Sequence, residues 1–280
     1  MQTLDGKRVA DEFASKLTTR VSRLKSRGIT PKLAIVMIEP EERSLIYVRM
    51  KRRRAEQIGI AIEEITLHED GQNDYEQKLL NICEQKDIHG VILQLPIPEN
   101  LDKQALIDCI PTEKDVDGLT TANQKEFESG KPQFWPATPR GVLKLMRDYH
   151  ISPIDKTITV IGRSNLVGHP LACMLKRKGA RVLIAHRGTK DVKQLTLESD
   201  IIISAAGSAG LITADDINKG AAIIDVGINS VGQQIVGDVD FVSASKKASY
   251  ISPVPGGVGP MTVVMLMSNV IKAARRQSAD

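Results

Sequence analysis

The feature that most constrains this chain is an alternation, carried along its length, of short apolar runs with longer stretches of helical periodicity. KLAIVMI at 32–38, IAIEEIT at 60–66, VILQL at 91–95, TITVIG at 157–162, RVLIA at 181–185, DIIISAA at 200–206 and AAIIDVG at 221–227 each read as a strand. Helix-patterned stretches separate them. One spans 6–27, with Val9, Phe13, Leu17, Val21 and Leu24 at helical spacing, and others fall near 44–58, 73–86, 102–109, 140–149, 167–178 and 260–276. Strands alternating with helices predict an α/β fold of parallel sheets joined by right-handed crossovers. Aromatic residues are only 3% of the chain, so aliphatic side chains must fill the core, which suits helices packed on buried parallel strands.

A chain of 280 residues suggests two domains. The polar stretch 119–138, with Gly130, Pro132 and Pro136, is the expected junction. The net charge of +4 comes from 38 basic and 34 acidic residues mixed along the chain, so no segregated basic footprint points to nucleic acid. The densest basic cluster is Arg49, Lys51, Arg52, Arg53 and Arg54. Cys83, Cys109 and Cys173 are odd in number and lack metal-ligand spacing, which predicts free thiols in a reducing compartment and no metal site. The opening residues show no signal peptide and no run is apolar enough to span a membrane, so a soluble cytoplasmic protein is expected.

The second half reads as a dinucleotide-binding unit. Strand 157–162 runs into GRSNLVGHP and then a helix, where backbone N–H groups and a helix N-terminus can meet a pyrophosphate. The pattern is Gly162, Ser164 and Gly168 in place of three glycines at the usual spacing. At the end of the next strand, where an NAD site usually places a carboxylate, the chain has His186, Arg187, Gly188, Thr189 and Lys190. A 2′-phosphate there would meet Arg187, Lys190 and Arg163, so NADP is the expected cofactor. Gly207 and the turn after Asp225 lie at the C-terminal strand ends, the edge where open parallel sheets bind ligands. His169 reads as a helix-start residue.

In the first half, the helix at 44–58 sets Tyr47 and Lys51 four residues apart, on one face. A flat substrate lying on the ring would bring its reactive carbon near the amine. Several further segments, taken with Tyr47-Val-Arg-Met-Lys51, carry a resemblance: GVILQLPIP at 90–98, KDVDG at 114–118, PATPRG at 136–141, GRSNLVGHP at 162–170, DVGIN at 225–229, GDVDF at 237–241 and PVPGGVGPMT at 253–262. Together they resemble the methylenetetrahydrofolate dehydrogenase/cyclohydrolase family over about residues 5–275, and the KDVDG and PVPGGVGPMT segments are the most specific.

The resemblance implies that the methylene carbon of 5,10-methylenetetrahydrofolate gives a hydride to NADP and that the methenyl product is hydrolysed to 10-formyltetrahydrofolate. Lys51 looks like the family's catalytic lysine, Tyr47 like its stacking tyrosine, Gln94 like the glutamine that holds the lysine, and Asp117 like the aspartate that binds the pterin. Leu95 and the loop residues Pro255, Gly256, Gly257 and Val258 are expected against the folate. Gly162, Arg163, Ser164, Val167, Gly168, His186, Arg187, Gly207 and Ile228 are expected against the cofactor. The resemblance further implies a catalytic domain of residues 1–138 plus 261–280, a Rossmann-type NADP domain of 139–260 with a cleft between them, and a homodimer.

Chemistry gives these roles a separate footing. Hydride removal from a carbon between two nitrogens needs mainly alignment, whereas hydrolysis needs a base to take a proton from water. Keeping Lys51 neutral near pH 7 costs on the order of 4–5 kcal/mol, which burial and a positive field from Arg49 to Arg54 could supply. Asp117 offers two acceptor oxygens to the paired donors of a pterin, while Asp115 can equally be a turn residue. The chain departs from the family's pattern ahead of Tyr47. The family usually shows a glycine and then Ala-Ser there, and this chain has Glu39, Glu41, Glu42 and Arg43 instead, with only Ser44 kept. That loop keeps two rivals open: a dehydrogenase alone, and a non-catalytic NADP- or folate-binding relative. A shikimate-dehydrogenase-like enzyme would share the architecture without explaining KDVDG or PVPGGVGPMT.

Overall fold

The computed structural model describes residues 1–68, 71–130, 132–232 and 234–278, without the side chains of residues 43 and 128. In chain order its first elements are β1 (Gln2–Thr3), α1 (Gly6–Lys25), β2 (Lys32–Ile38), α2 (Glu42–Ile58), β3 (Ala61–Leu67), α3 (Gln72–Glu84), β4 (Gly90–Leu93), α4 (Lys103–Asp108) and α5 (Thr121–Ser129). Then come α6 (Ala137–Asp148), β5 (Thr157–Ile161), α7 (Gly168–Lys176), β6 (Arg181–Ala185), α8 (Val192–Leu197), β7 (Ile201–Ser204) and β8 (Ala222–Asp225). The last are β9 (Asn229–Val231), β10 (Gln234–Val236), α9 (Phe241–Ala244), β11 (Tyr250–Ile251) and α10 (Val258–Gln277). The chain divides into two compact units, one of residues 1–11 and 138–262, the other of 12–137 and 263–280.

The unit of 12–137 and 263–280 is built on a parallel sheet ordered β3-β2-β4, with Val36 opposite both Ile65 and Leu93. β2 is buried along nearly its whole length, as a central parallel strand must be. Ala34, Val36, Ile38, Tyr75, Leu79, Val91, Leu93 and Leu106 pack into one apolar core. Helix α2 ends at Gly59, whose φ of 92° is the left-handed conformation that lets the chain turn straight into β3. In α10, Asn269 Nδ2 donates to the carbonyls of Val116 (2.8 Å) and Trp135 (3.1 Å), tying that helix to the loop that carries Asp117.

The other unit has a six-stranded sheet ordered β1-β11-β8-β7-β5-β6, parallel throughout. β5 has β6 on one side and β7 on the other, so the strand order changes direction there, which is where open α/β sheets bind ligands. Ile161, Ile202, Ile223 and Ile251 join one core beneath that edge.

The expected junction at 119–138 does hold the point, at 137/138, where the chain passes from one unit to the other, and it is packed: Thr120 caps α5 by accepting from the Asn123 N–H, and Phe127 and Phe134 are buried. Its glycines and prolines mark cap and turn positions around a packed helix. By their contacts residues 1–11 group with 138–262, because β1 pairs in parallel with β11. The apolar runs at 200–206 and 221–227 stop being strand at Ser204 and Asp225, because the N–H groups of residues 206–208 donate to the Asp238 carboxylate and that of Gly227 to Asp225.

Candidate active site

The helix α2 was expected to present a tyrosine and an amine together, and it does so with a third group. Ser44, Tyr47 and Lys51 stand at positions i, i+3 and i+7, one helical face. The Lys51 Nζ lies 2.7 Å from Gln94 Oε1. Gln94 is buried, and its Nε2 donates to the carbonyl of Leu95 at 2.7 Å. A carbonyl only accepts, so the amide oxygen of Gln94 must face the lysine. Gln94 itself is set by β4, since its N–H donates to the Val36 carbonyl at 2.8 Å.

The loop that carries Asp117 is placed by the same strand. Val91 N–H donates to the Lys114 carbonyl (2.8 Å), and Val91 and Asp115 form a parallel bridge. From that bridge the chain turns, and Asp117 comes within electrostatic reach of Lys51. Asp115 is buried and fully engaged: it accepts from the N–H groups of Gly118 (2.9 Å), Leu119 (3.2 Å) and Thr120 (2.8 Å) and from Asn123 Nδ2 (2.8 Å). It is therefore the turn residue, and its loop is clamped from behind by Lys114, whose ammonium donates to the carbonyls of Cys83 and Gln85, both at 2.7 Å. Asp117, by contrast, accepts no hydrogen bond from the described residues. Its carboxylate faces the Lys51 amine electrostatically and is left free for something else.

Burial sets the charge balance. It lowers the Lys51 pKa below the ordinary lysine value, with the negative charge of Asp117 pulling the other way. It raises the Asp117 pKa, with Lys51 opposing and Asp115 adding to the rise. The expected field from the arginine run is not part of the Lys51 shift: Arg49, Arg52 and Arg53 are exposed, and Arg52 lies 3.4 Å from Glu64. Tyr47 is half-buried, and burial raises its hydroxyl pKa.

Sequence reasoning assigned no role to Ser44. Its hydroxyl is buried without a partner on the face shared with Tyr47 and Lys51, and the spacing from Ser44 to Lys51 was the available signal. Beside Leu95 is a cavity of about 530 Å³, lined also by Pro96, Ile97, Pro98, Glu99, Leu101 and Lys103. In the altered loop, Glu39 is exposed with φ of 42° and accepts from the Tyr75 hydroxyl at 3.2 Å, while the Arg43 side chain lies outside the described residues.

The remaining candidates lie in the other unit. Pro255 is exposed and Gly256 and Gly257 form a tight loop in which Gly257 N–H donates to the Pro253 carbonyl at 2.8 Å, while Val258 is buried as the first residue of α10. At the end of β5, a side chain on Gly168 would meet the Gly162 carbonyl at 2.1 Å, so only glycine lets α7 start this close to the strand. Val167 at the N-cap of α7 provides no side-chain cap; Pro170 has no N–H and the His169 N–H donates to the Ser164 carbonyl at 3.0 Å, so among the described residues the Gly168 N–H is the first-turn donor left for a ligand. Ser164 Oγ accepts from the Val167 N–H at 3.3 Å and shapes that turn.

β5 and β6 pair with Ile161 opposite Ala185, so Arg163 and Arg187 follow the ends of adjacent strands, and both are exposed along with Lys190. The first carboxylate after β6, Asp191, caps α8 by accepting from Gln194 N–H at 2.8 Å. His186 accepts the Gly188 N–H on Nδ1 at 3.0 Å, and its own N–H donates to Thr189 Oγ1 at 3.0 Å, which fixes the turn bearing Arg187. Gly207 and Ile228 are both exposed after β7 and β8. Exposed cations at neighbouring strand ends beside an uncapped helix N-terminus fit a dinucleotide carrying an extra phosphate.

Comparison with known proteins agrees with this division. Residues 4–117 match the family described as tetrahydrofolate dehydrogenase/cyclohydrolase, catalytic domain, and residues 136–278 its NAD(P)-binding domain. The chain is 45% identical over 280 residues to Bifunctional protein FolD of Moorella thermoacetica, covering 98% of this chain and 99% of the relative. The bifunctional FolD methylenetetrahydrofolate dehydrogenase/cyclohydrolase of Campylobacter jejuni superposes with a TM-score of 0.95 at 39% identity, covering 99% of both chains. The Trypanosoma brucei dehydrogenase-cyclohydrolase, solved with NADP and an inhibitor, gives 0.95 at 34% identity over 99% of this chain and 98% of that one.

Proposed function

The chain belongs to the tetrahydrofolate dehydrogenase/cyclohydrolase family, and from that premise we propose that it oxidises 5,10-methylenetetrahydrofolate with NADP and hydrolyses the methenyl product to 10-formyltetrahydrofolate. The observation that carries the reading is the amine of Lys51 held 2.7 Å from Gln94 Oε1 and facing Asp117, which accepts no hydrogen bond from the described residues.

NADP, when bound, accepts the hydride that leaves the methylene carbon. The chain's own residues align and prepare. Asp117 takes the paired donors of the pterin on its two oxygens, which fixes the ring and holds it over Lys51. Tyr47 offers its ring as a platform on the same helical face. As the C–H bond breaks, the lone pairs of the two flanking nitrogens take up the positive charge, so no acid or base is needed in that step.

Hydrolysis uses the lysine. A neutral Lys51 donates one N–H to Gln94 Oε1, which turns its lone pair away from the glutamine and toward a water at the methenyl carbon. The water oxygen bonds to that carbon while its proton passes to Lys51. The carbon–N5 bond then breaks as the adduct's remaining O–H becomes the formyl C=O, its proton passes to N5, and the formyl group stays on N10. Base assistance of this kind contributes roughly 10²- to 10⁴-fold. Gln94 is itself locked by the Leu95 carbonyl, so the lone pair keeps one direction.

In the nucleotide-binding unit, Arg163, Arg187 and Lys190 are assigned to the 2′-phosphate, and the α7 N-terminus with Gly162, Ser164 and Gly168 to the pyrophosphate. We further infer a homodimer in the cytoplasm. The resemblance supports the dimer, and three free cysteines suit a reducing compartment. Among the described residues no helix is long and apolar enough to cross a membrane.

The test is a spectrophotometric assay with methylenetetrahydrofolate, run with NADP and NAD in parallel, beside a separate assay of methenyltetrahydrofolate loss. NADPH formation together with accelerated methenyl loss is expected. Protein that bound both ligands and formed no NADPH would be a non-catalytic relative, and one that formed NADPH without speeding hydrolysis would be a dehydrogenase alone.

A further inference from the structure

The nucleotide-binding sheet holds a carboxylate that the reaction has not yet used. Asp238 is fully buried, yet it accepts five hydrogen bonds. Its Oδ2 takes Ser204 Oγ at 2.9 Å and the N–H groups of Ala206 and Gly207 at 2.7 and 3.3 Å; its Oδ1 takes the Ser208 N–H at 2.8 Å and Asn229 Nδ2 at 3.0 Å. Four of these donors belong to one segment, 204–208, where the chain leaves β7. The backbone that carries Asp238 is fixed in turn, since its N–H donates to Asp225 Oδ1 at 3.1 Å.

We propose that Asp238 is a positioning residue of the cofactor site: it draws the N–H groups of residues 206–208 inward, so that this turn offers carbonyl oxygens to the neutral hydrogen-bond donors at the nicotinamide end of the dinucleotide. The proposal rests on reading this unit as the NADP site.

The backbone polarity carries it. Each peptide has one donor and one acceptor. Here the donors are consumed by Asp238, while the carbonyls of Ala205, Ala206 and Gly207 accept nothing from the described residues. Ala205 and Ala206 are half-buried and Gly207 is exposed, so the turn is reachable. It follows β7, next to β5, at the point where the strand order changes direction. A side chain at Gly162 would meet the Ala205 carbonyl oxygen at 2.3 Å, and the glycine keeps that acceptor uncovered.

A turn whose N–H groups already point inward has none left for a phosphate. It suits hydroxyls and amide N–H groups, which the nicotinamide ribose and the carboxamide supply. The turn that opens α7 is the opposite case: the N–H groups of Ser164 and Gly168 have no acceptor among the described residues, which suits the pyrophosphate. The two backbone edges therefore divide the dinucleotide by hydrogen-bond polarity, and one buried carboxylate creates the second edge.

Three probes test the idea by calorimetry: NADP, 2′-phospho-ADP-ribose, which lacks the nicotinamide ring, and 2′,5′-ADP, which lacks the nicotinamide riboside together with the phosphate that carries it. Asp238→Asn should weaken NADP binding about tenfold or more, because charge-assisted bonds that order the turn are lost. Binding of 2′,5′-ADP should stay within about twofold. A loss shared by 2′-phospho-ADP-ribose assigns the acceptors to the ribose hydroxyls, and a loss confined to NADP assigns them to the carboxamide; both support the proposal. Equal losses for all three probes, or none, would overturn it. Should Asp238→Asn fail to fold, Ser204→Ala removes a single donor and should give the same ranking at smaller amplitude. Wild-type protein that bound none of the probes would overturn the cofactor reading itself.

Discussion

Asp115 and Asp117 stand two residues apart in one loop and are used in opposite ways. Asp115 is buried and accepts four hydrogen bonds, three from the backbone of its own turn. Asp117 is half-buried, accepts none from the described residues, and faces a lysine amine. A carboxylate that is buried and satisfied shapes the chain; one that is partly buried and unsatisfied is maintained at a cost in stability and is left for a ligand. The contrast teaches that a charged motif can be sorted into scaffold and site by asking where its lone pairs go. In the nucleotide-binding unit Asp238 falls on the scaffold side, although what it shapes is an edge of a site.

The largest expected effect tests the site side of that contrast. Lys51→Ala should cut methenyltetrahydrofolate hydrolysis roughly 10²- to 10⁴-fold in a steady-state assay, while folate binding is retained. Loss of hydrolysis below tenfold would remove the lysine from the reaction. The same position should behave oppositely for stability. The Lys51 pKa is lowered in the fold, so its stabilising contribution is present only above the ordinary lysine value and is lost as pH falls through the folded value. Lys51→Met should therefore be more stable than wild type in urea titrations at pH 7, with the gap narrowing as pH rises toward 10.5.

Next in size comes the scaffold member. Asp115→Ala strands three backbone N–H groups and the Asn123 amide in a buried turn, and should cost about 3 kcal/mol or more of unfolding free energy. Asp117→Asn should cost nothing in stability, because burial already disfavours its ionised form. It should instead raise KM for the folate roughly 10- to 100-fold, the loss of a charged hydrogen-bonded pair. It should also move a pH profile. Hydrolysis needs neutral Lys51, so its rate rises with pH along a limb whose midpoint lies below 10.5. The negative charge of Asp117 raises that midpoint, so Asp117→Asn should shift the limb to lower pH. A limb that stayed in place would separate the two residues.

How much of this was legible in the sequence depends on what each feature is made of. The strands β2, β4, β5 and β7 announce themselves because buried parallel strands must be continuously apolar. β1 and β9–β10 do not, being strands of two or three residues that exist through pairing, β1 with a partner almost the whole chain away. In the site, helical spacing alone aligned Tyr47 with Lys51. Nothing in a separation of 43 residues says that Lys51 meets Gln94, and the expectation came from resemblance. The source of the lysine's lowered pKa was misjudged because a run of arginines is visible in sequence while burial is not.

The smallest effect concerns the acid at the mouth of α2. Glu39 is exposed and holds φ of 42°, a backbone conformation that suits glycine, and the resembled family usually carries a glycine in this stretch. A left-handed side-chain-bearing residue costs about 1–2 kcal/mol, and glycine there would return roughly 0.5–1 of that through the freedom of its unfolded chain. The hydrogen bond from the Tyr75 hydroxyl to Glu39, at 3.2 Å and half-exposed, offsets a little more. Glu39→Gly should therefore change stability by less than about 1 kcal/mol in urea titrations and leave hydrolysis untouched, since neither Lys51 nor Gln94 depends on it. Were hydrolysis to fall tenfold with stability unchanged, Glu39 would join Asp117 among the acids held for the substrate, and the contrast between scaffold and site would have to be redrawn to include a strained backbone as a third way of keeping a carboxylate in place.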